Sequence, residues 1–322
     1  MDKFSMPGDE EVLAHLGPRL GPAAVRSRLD AERGEGRPVA GRSSPFAYIE
    51  KWILGPSLLR GALKLSGLYA RGRANALDIG VVQNRFESGR LPVGLHGVRV
   101  LQLSDLHIDA SKEFEDSLVQ TVSEVEGYDL CVITGDLRFH THGDAGPTLA
   151  AMRRLRSALK RRCLLVLGNH DSLRWVPALE GAGYEVLINE ATHIERDGER
   201  LWIAGVDDAG YFGACDLAAA GTGVPDGACQ LLLSHSPEIV HDARLEGYDF
   251  VLCGHSHGGQ INLPGGWPPV TNSRCARRYC KGRWRKGQVQ GYTTHGAGTS
   301  LLDVRFNCPP EIAVHHLHRV GS

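Results

Sequence analysis

The chain has 322 residues, of which 42% are apolar and 23% charged, the proportions of a soluble globular protein with a sizeable core rather than a fibrous or wholly disordered one. Lys and Arg number 36 against 37 Asp and Glu, a net charge of -1, so the overall field argues neither for nucleic acid nor for a membrane. The eight cysteines are scattered, several inside apolar runs, which suits buried thiols better than a disulfide framework. Cys275 and Cys280 lie close together, but no second pair at zinc-site spacing accompanies them.

At the N-terminus, MDKFSMPGDEEVLAHL carries acidic residues where a secretory leader needs a basic start and an apolar centre. No apolar run approaches the roughly 20 residues that span a bilayer, so the chain is expected in the cytoplasm. Residues 1–45 are rich in Gly, Ala, Arg and Pro and hold one short helical candidate, EEVLAHL; the segment is expected to be flexible. Next, in FAYIEKWILGPSLLRGALKLSGLYARGR, Ile49, Trp52 and Ile53, then Leu58, Leu59, Ala62 and Leu63, recur at helical spacing. Gly55-Pro56 breaks this into two helices, an amphipathic extension over 46–75. Lys51, Arg60, Lys64, Arg71 and Arg73 decorate it, which fits either packing on the chain's own domain or peripheral contact of residues 46–72 with an anionic membrane on the cytoplasmic side.

Over 76–322 the pattern becomes strand, loop, helix, repeated: an α/β domain. VRVLQLS, YDLCVITG, CLLVLG, RLWIAGV, CQLLLS and YDFVLCG are short apolar runs that end in polar or glycine-rich loops, as strands of a buried sheet do. EFEDSLVQTVSEV, GPTLAAMRRLRSAL and PEIVHDARL are the helical candidates between them.

The strand ends carry the chemistry. LQLSDLHID supplies Asp105 and His107, VITGDLR supplies Asp136, VLGNHD supplies Asn169, His170 and Asp171, LLLSHSPE supplies His235, and VLCGHSHGGQ supplies His255 and His257. In an open sheet ligands bind at the carboxyl ends of strands, so these loops can converge on one crevice. Residues two apart on an outgoing strand share a side, which would let Asp105 and His107 touch one ion. Gly135, Gly168 and Gly254 precede ligands and allow sharp exits and close backbone approach. Any one of these residues alone is better explained as an ordinary core or surface side chain. Seven nitrogen and oxygen donors, each following a strand, have no such explanation, and the mixed set suits Mn, Fe, Zn or Co rather than Ca. Ser104 and Ser234 have no base partner outside the metal ligands, which argues against a serine hydrolase.

The ordered set D-x-H, GD, GNHD, lone His and GHSH resembles the calcineurin-like metallophosphoesterases, from about residue 95 to the C-terminus. SDLH, GHSHGGQI, HGAGTS and RFNCPPEIAVHHL are most similar to the bacterial YkuE/YaeI-type phosphodiesterase branch, which is related to UDP-2,3-diacylglucosamine pyrophosphatases. The resemblance implies a four-layer α/β/β/α sandwich of two mixed sheets and a pair of divalent metal ions, manganese foremost. Asp105, His107 and His257 would hold one ion, Asn169, His235 and His255 the other, and Asp136 would bridge them. His170 would be the general acid or phosphate-oxygen donor, with Asp171 orienting its ring. The implied reaction is hydrolysis of a phosphodiester or diphosphate by a metal-bridging hydroxide.

Arg138, with His140 and His142 after it, follows the bridging aspartate and is a candidate phosphate contact. RCARRYCKGRWRKG lies between two site loops, so Arg277 and Arg278 are candidates for binding an anionic group at the rim. The expected substrate is a phosphorylated small molecule or lipid, such as a UDP-diacylglucosamine. A nuclease or cyclic-nucleotide phosphodiesterase is the alternative, with the near-zero net charge counting against long nucleic acid. A metal-dead binding scaffold would show missing ligands, and none is missing.

Overall fold

The computed structural model describes residues 6–34 and 55–321. Two six-stranded sheets face each other. The first runs in the order β1 (Gly80–Ser88), β12 (Glu311–Arg319), β2 (Val98–Leu103), β3 (Leu130–Thr134), β4 (Cys163–Val166), β5 (Glu185–Val186). The second runs β10 (Gly282–Lys286), β11 (Val289–Thr293), β9 (Phe250–Cys253), β8 (Gln230–Leu233), β7 (Glu199–Gly205), β6 (Glu190–Arg196). Within the first, β2 to β5 are mutually parallel; within the second, β7, β8, β9 and β11 are. Antiparallel pairs, β12 with β2, β6 with β7 and β10 with β11, make both sheets mixed.

The central strands read as unbroken apolar runs because both of their faces are covered. In β3, Leu130 and Val132 face the other sheet while Cys131 and Ile133 face the outer helices. In β9, Phe250 and Leu252 turn inward while Val251 and Cys253 turn outward. The outer layer on the first sheet is α5 (Lys112–Glu124), capped by the Ser111 hydroxyl and burying Phe114, Leu118 and Val122, with α6 (Gly146–Ala158) burying Leu149, Met152 and Leu155. Over the second sheet the layer is thinner: a short helix Leu217–Ala220 and 3-10 turns. PEIVHDARL, expected to be a helix, is two such turns, because Asp242 ends the first and its carboxylate caps Arg244 to start the second. The whole is the four-layer α/β/β/α sandwich.

The N-terminal expectation needs correcting over its described part. Residues 9–33 form two helices, α1 (Asp9–Leu20) and α2 (Pro22–Arg33), that bury Val12, Leu16, Val25 and Leu29 in the same cluster as Leu173, Trp175 and Leu179. Each helix contributes one i,i+4 apolar pair, too narrow a stripe to stand out in polar text yet enough to dock. Arg19 and His15 add bonds to Glu180. The expected helix before Gly55, including Trp52, lies outside the described residues. Helices α3 (Gly55–Leu65) and α4 (Leu68–Leu77) follow. Gly72 of α4 lies against Phe306 and Val304, so α4 packs on the C-terminal loop. By contrast α3 leaves Leu58 70% and Leu65 93% exposed.

One polar cluster ties the sheets together. His315 of β12 is fully buried; its Nε2 donates to Gln102 Oε1 at 2.9 Å and its Nδ1 accepts from Asn84 Nδ2 at 2.9 Å. Gln102 Nε2 in turn donates across the interface to the Cys253 carbonyl at 3.0 Å. Burial, aided by His316 and Arg283, pushes the His315 pKa down to about 3 from 6.5. The unfolded chain therefore takes up a proton below about pH 6.5 that the native ring refuses until about pH 3, so its contribution to stability is present at neutral pH and falls away as pH falls through that window. His315→Gln should be less stable than the parent at pH 7, and the gap should shrink by about 3 kcal/mol at pH 4. Urea unfolding at both pH values measures this; a gap independent of pH would remove His315 as the titrating group.

Candidate dinuclear metal site

The parallel strands β2, β3, β4, β8 and β9 all end at one edge, where the two sheets' loops interlock. Asp105 accepts the His255 N–H at 2.9 Å, and the Thr134 carbonyl takes a hydrogen bond from His235 Nδ1 at 2.8 Å. Asp105 and His107 do reach the same ligand group, as expected, but not through the strand alternation that their spacing suggested. Both have left-handed backbones, φ 50° and 41°, and so do Asp136, His255 and His257, up to φ 70°. Such positions cost of the order of 1–3 kcal/mol each for residues other than glycine and persist only where surroundings over-determine them. Gly168 shows the crowding: a Cβ there would fall on the Asp136 carboxylate and backbone nitrogen.

The ligand atoms gather in two groups, Asp105 with His107 and His257, and Asp136 with His235 and His255. In the first, His107 Nε2 and His257 Nε2 are 3.2 Å apart and Asp105 Oδ1 lies 3.4 Å from His257 Nε2. In the second, His235 Nε2 is 3.2 Å from His255 Nδ1 and 3.1 Å from the Asn169 amide oxygen. Asp136 spans the groups, with Oδ1 3.4 Å from His235 Nε2 and Oδ2 3.9 Å from His107 Nε2.

Backbone carbonyls decide which ring nitrogens are free. The Arg138 carbonyl lies 2.7 Å from His107 Nδ1 and the Asn272 carbonyl 3.0 Å from His255 Nε2. A carbonyl only accepts, so the proton sits on those nitrogens, and on Nδ1 of His235, and the opposite nitrogen presents a lone pair. His235 Nε2 and His255 Nδ1 therefore face each other as lone pairs at 3.2 Å, which repel unless a cation or proton lies between them, and this is the observation that fits a divalent metal to these residues. Burial, with His170 nearby, pushes His107 down to about 3, and burial with His107 and Arg305 holds His257 well below its usual value; both are neutral ligands in waiting. Burial alone would lower His235 and raise Asp136. Their mutual attraction outweighs it, so His235 rises well above and Asp136 falls well below the ordinary range. A metal entering here displaces the His235 proton.

His170 Nδ1 donates to the Phe139 carbonyl at 3.1 Å, and its Nε2 is 3.9 Å from Asp136 Oδ2, at the margin of the cluster. Asp171 has a different partner set from the ring-orienting one expected. Its carboxylate accepts the N–H groups of Gly168 at 2.8 Å and of Asp136 and Leu137 at 2.9 Å, so it binds the turn bearing Asn169 to the loop bearing Asp136.

A cavity of about 310 Å³ opens beside the second group, walled by Asn169, His255, Tyr211, Glu238, Arg274 and Arg277 among others. Arg277 stands 4.2 Å over the Trp267 ring. The other two arginines expected to meet substrate are absent from this wall. Arg138 is buried, its guanidinium 4.7 Å over Trp175 and its Nη1 on the Gly143 carbonyl, while Arg278 folds back on Tyr279. Arg274, in the basic segment expected at the rim, does line the cavity, while sequence reasoning missed Glu238, which accepts the Ser273 hydroxyl at 2.9 Å and the Arg274 N–H at 2.7 Å and so fixes the wall. It also missed Arg305, a fully buried cation whose guanidinium donates to carbonyls of His295, Gly296 and Gly298 behind the site.

Fold and site together define a phosphoric ester hydrolase with two adjoining candidate metal sites. The family model for calcineurin-like phosphoesterases matches residues 98–259. YkuE of Bacillus subtilis strain 168, an uncharacterized metallophosphoesterase, is 30% identical over 271 residues, 80% of this chain and 92% of that protein. The phosphodiesterase YaeI of Escherichia coli strain K12 is 36% identical over 140 residues, 42% of this chain and 48% of its own. Among solved structures, vacuolar protein sorting 29 from Cryptosporidium parvum aligns with TM-score 0.37 at 15% identity, covering 70% of this chain and 87% of that one. The chain belongs to the calcineurin-like metallophosphoesterases, a family with a dinuclear metal centre.

Gly168→Ala should expel Asp136 from its place between the two groups. Metal content measured by plasma mass spectrometry should drop, and hydrolysis of an aryl phosphate ester should fall by about a hundredfold or more; normal metal binding in this variant would refute the close approach.

Proposed function

We propose that the protein hydrolyses a phosphodiester or diphosphate carrying a lipid or nucleotide group, with manganese as the working metal and an anionic membrane surface as the place where substrate is met. The observation that carries the hydrolytic part is the Asp136 carboxylate, which turns one oxygen to each ligand group and leaves a cavity open beside them. Two divalent cations held there supply charge neutralisation at the phosphate oxygens and lower the pKa of water. The chain's own residues do the rest. His170, held by the Phe139 carbonyl, keeps its Nε2 at the cluster margin, where it donates to a phosphate or leaving-group oxygen. Arg274 and Arg277 bring positive charge to the cavity wall, which favours a second phosphate or a diphosphate over a small neutral ester. Tyr211, on the same cavity's lining, offers a ring for the organic portion.

The lipid part is supported by the surface. Residues 55–77 include Arg60, Lys64, Arg71 and Arg73 and no acidic residue, and Leu58, Leu59, Leu65 and Leu68 are exposed on them. Leu263, Trp267 and Val270, around the cavity mouth, are exposed as well. Apolar side chains among lysines and arginines suit shallow insertion into an anionic lipid surface. Among the described residues no helix is long and apolar enough to cross a membrane.

Manganese content and bis(4-nitrophenyl) phosphate hydrolysis, measured for the parent and Asp136→Ala, test the first part. The variant should lose bound metal and about a thousandfold in kcat/KM; retained activity would contradict the bridging role. His170→Ala should keep its metal and lose about a hundredfold in kcat. For the lipid part, the parent should sediment with phosphatidylglycerol vesicles at low salt and Leu58→Asp with Leu65→Asp should not. A parent that ignores such vesicles and turns over only soluble esters sinks the membrane reading and leaves the hydrolase.

A further inference from the structure

The two N-terminal helices lie outside the residues that match the family, yet α2 reaches the catalytic cleft from two sides. Glu32 Oε2 accepts the Ser172 hydroxyl at 2.6 Å, and its Oε1 accepts the Leu173 N–H at 2.8 Å. Ser172 and Leu173 directly follow the turn bearing Asn169, His170 and Asp171. One helical turn earlier, Arg28 donates from Nε to Asp207 at 2.9 Å, and its guanidinium lies 3.5 Å from the centre of the Phe212 ring. Asp207 Oδ1 accepts the Asp208 N–H at 2.8 Å, and Asp208 gathers the N–H groups of Tyr211 and Phe212. That chain of contacts ends on Gly210 and Tyr211, which wall the cavity. Arg28 and Glu32 are themselves bonded at 2.8 Å, with side chains only 3% and 9% exposed.

We infer that Arg28 and Glu32 are positioning residues for the phosphoesterase reaction, setting the distance between the His170 turn and the Tyr211 wall and hence the width of the cleft that receives the substrate's organic group. A buried ion pair is a poor source of net stability, because desolvation offsets most of the attraction, but it fixes geometry where both partners carry further bonds. Here one pair holds two loops that leave different sheets, the first after β4 and the second after β7. Hydrophobic packing of Val25 and Leu29 attaches α2; Arg28 and Glu32 add direction.

The inference rests on the phosphodiesterase reading, and its test separates the two. Arg28→Ala would strand Asp207 in the interior, so the informative variants are Arg28→Lys, which keeps the charge and loses the planar stack on Phe212, and Glu32→Gln, which keeps the shape. In the full-length, manganese-loaded protein both should retain the parent's metal content and raise KM for bis(4-nitrophenyl) phosphate about tenfold, with a smaller change for the compact 4-nitrophenyl phosphate. Hydrogen exchange should quicken at residues 172–174 and 207–214 and stay unchanged in the central strands. A lowered melting temperature with KM and kcat unchanged for both esters overturns the proposal, leaving the helices a brace, and so does loss of metal. If the parent, metal bound, hydrolyses neither ester, the enzymatic reading fails; the exchange measurement then still decides whether the pair holds the two loops.

Discussion

Much at the working edge of this protein follows from one electrostatic requirement: the facing lone pairs of His235 and His255, 3.2 Å apart, need a cation or a proton between them. His107 and His257 bring two more ring nitrogens to 3.2 Å beside them, and the Asp136 carboxylate divides itself between the two groups. Meeting that requirement dictates the backbone around it. Asp105, His107, Asp136, His255 and His257 accept left-handed conformations that ordinary residues avoid. The compensation comes from hydrogen bonds that leave no choice of geometry, chiefly the three backbone N–H groups on Asp171 and the carbonyls of Thr134, Arg138 and Asn272 on the rings.

The sandwich makes this possible because both sheets end their parallel strands at one edge. A single sheet would present its loops in a row; two facing sheets present them from opposite sides, so that Asp105 and Asp136 come from one and His235, His255 and His257 from the other. Precision at the edge then depends on registration between the sheets. That is supplied partly by the apolar interior and partly by the Asn84, His315, Gln102 and Cys253 series, whose hydrogen bonds are directional where dispersion contacts are not.

The ligands were legible in the sequence because each stands in a short motif directly after a strand that is apolar on both faces. Their supporting shell was not, since the groups that fix the rings are main-chain carbonyls, which any residue carries. Adjacency misled at Asp171: next to His170 in sequence, it turns back to Asp136, Leu137 and Gly168. Arg138 misled in a similar way, because a charge following a ligand suggests substrate, whereas its guanidinium stacks on Trp175 and its carbonyl serves His107. The edge strand β1 escaped notice because its burial alternates, with Asn84, Phe86 and Ser88 turned inward. The polar look of EIAVHHLHR hid a strand for a different reason, since His315 satisfies both ring nitrogens and behaves as core.

The region before the family domain adds contacts that the metal ligands do not provide. Ligand geometry alone describes a generic phosphoesterase centre, for the metal groups are complete within residues 105–257. On the proposed reading selectivity would come from the surroundings of the cavity, where Arg274 and Arg277 are braced by Glu238 and Tyr211 is reached from α2 through Arg28. A substrate with a phosphate on one side of the reacting bond and a larger organic group on the other would find cationic and aromatic side chains in the same cavity. On that reading the enzyme would discriminate by what lies beyond the scissile phosphate, through segments outside the metal-binding motifs.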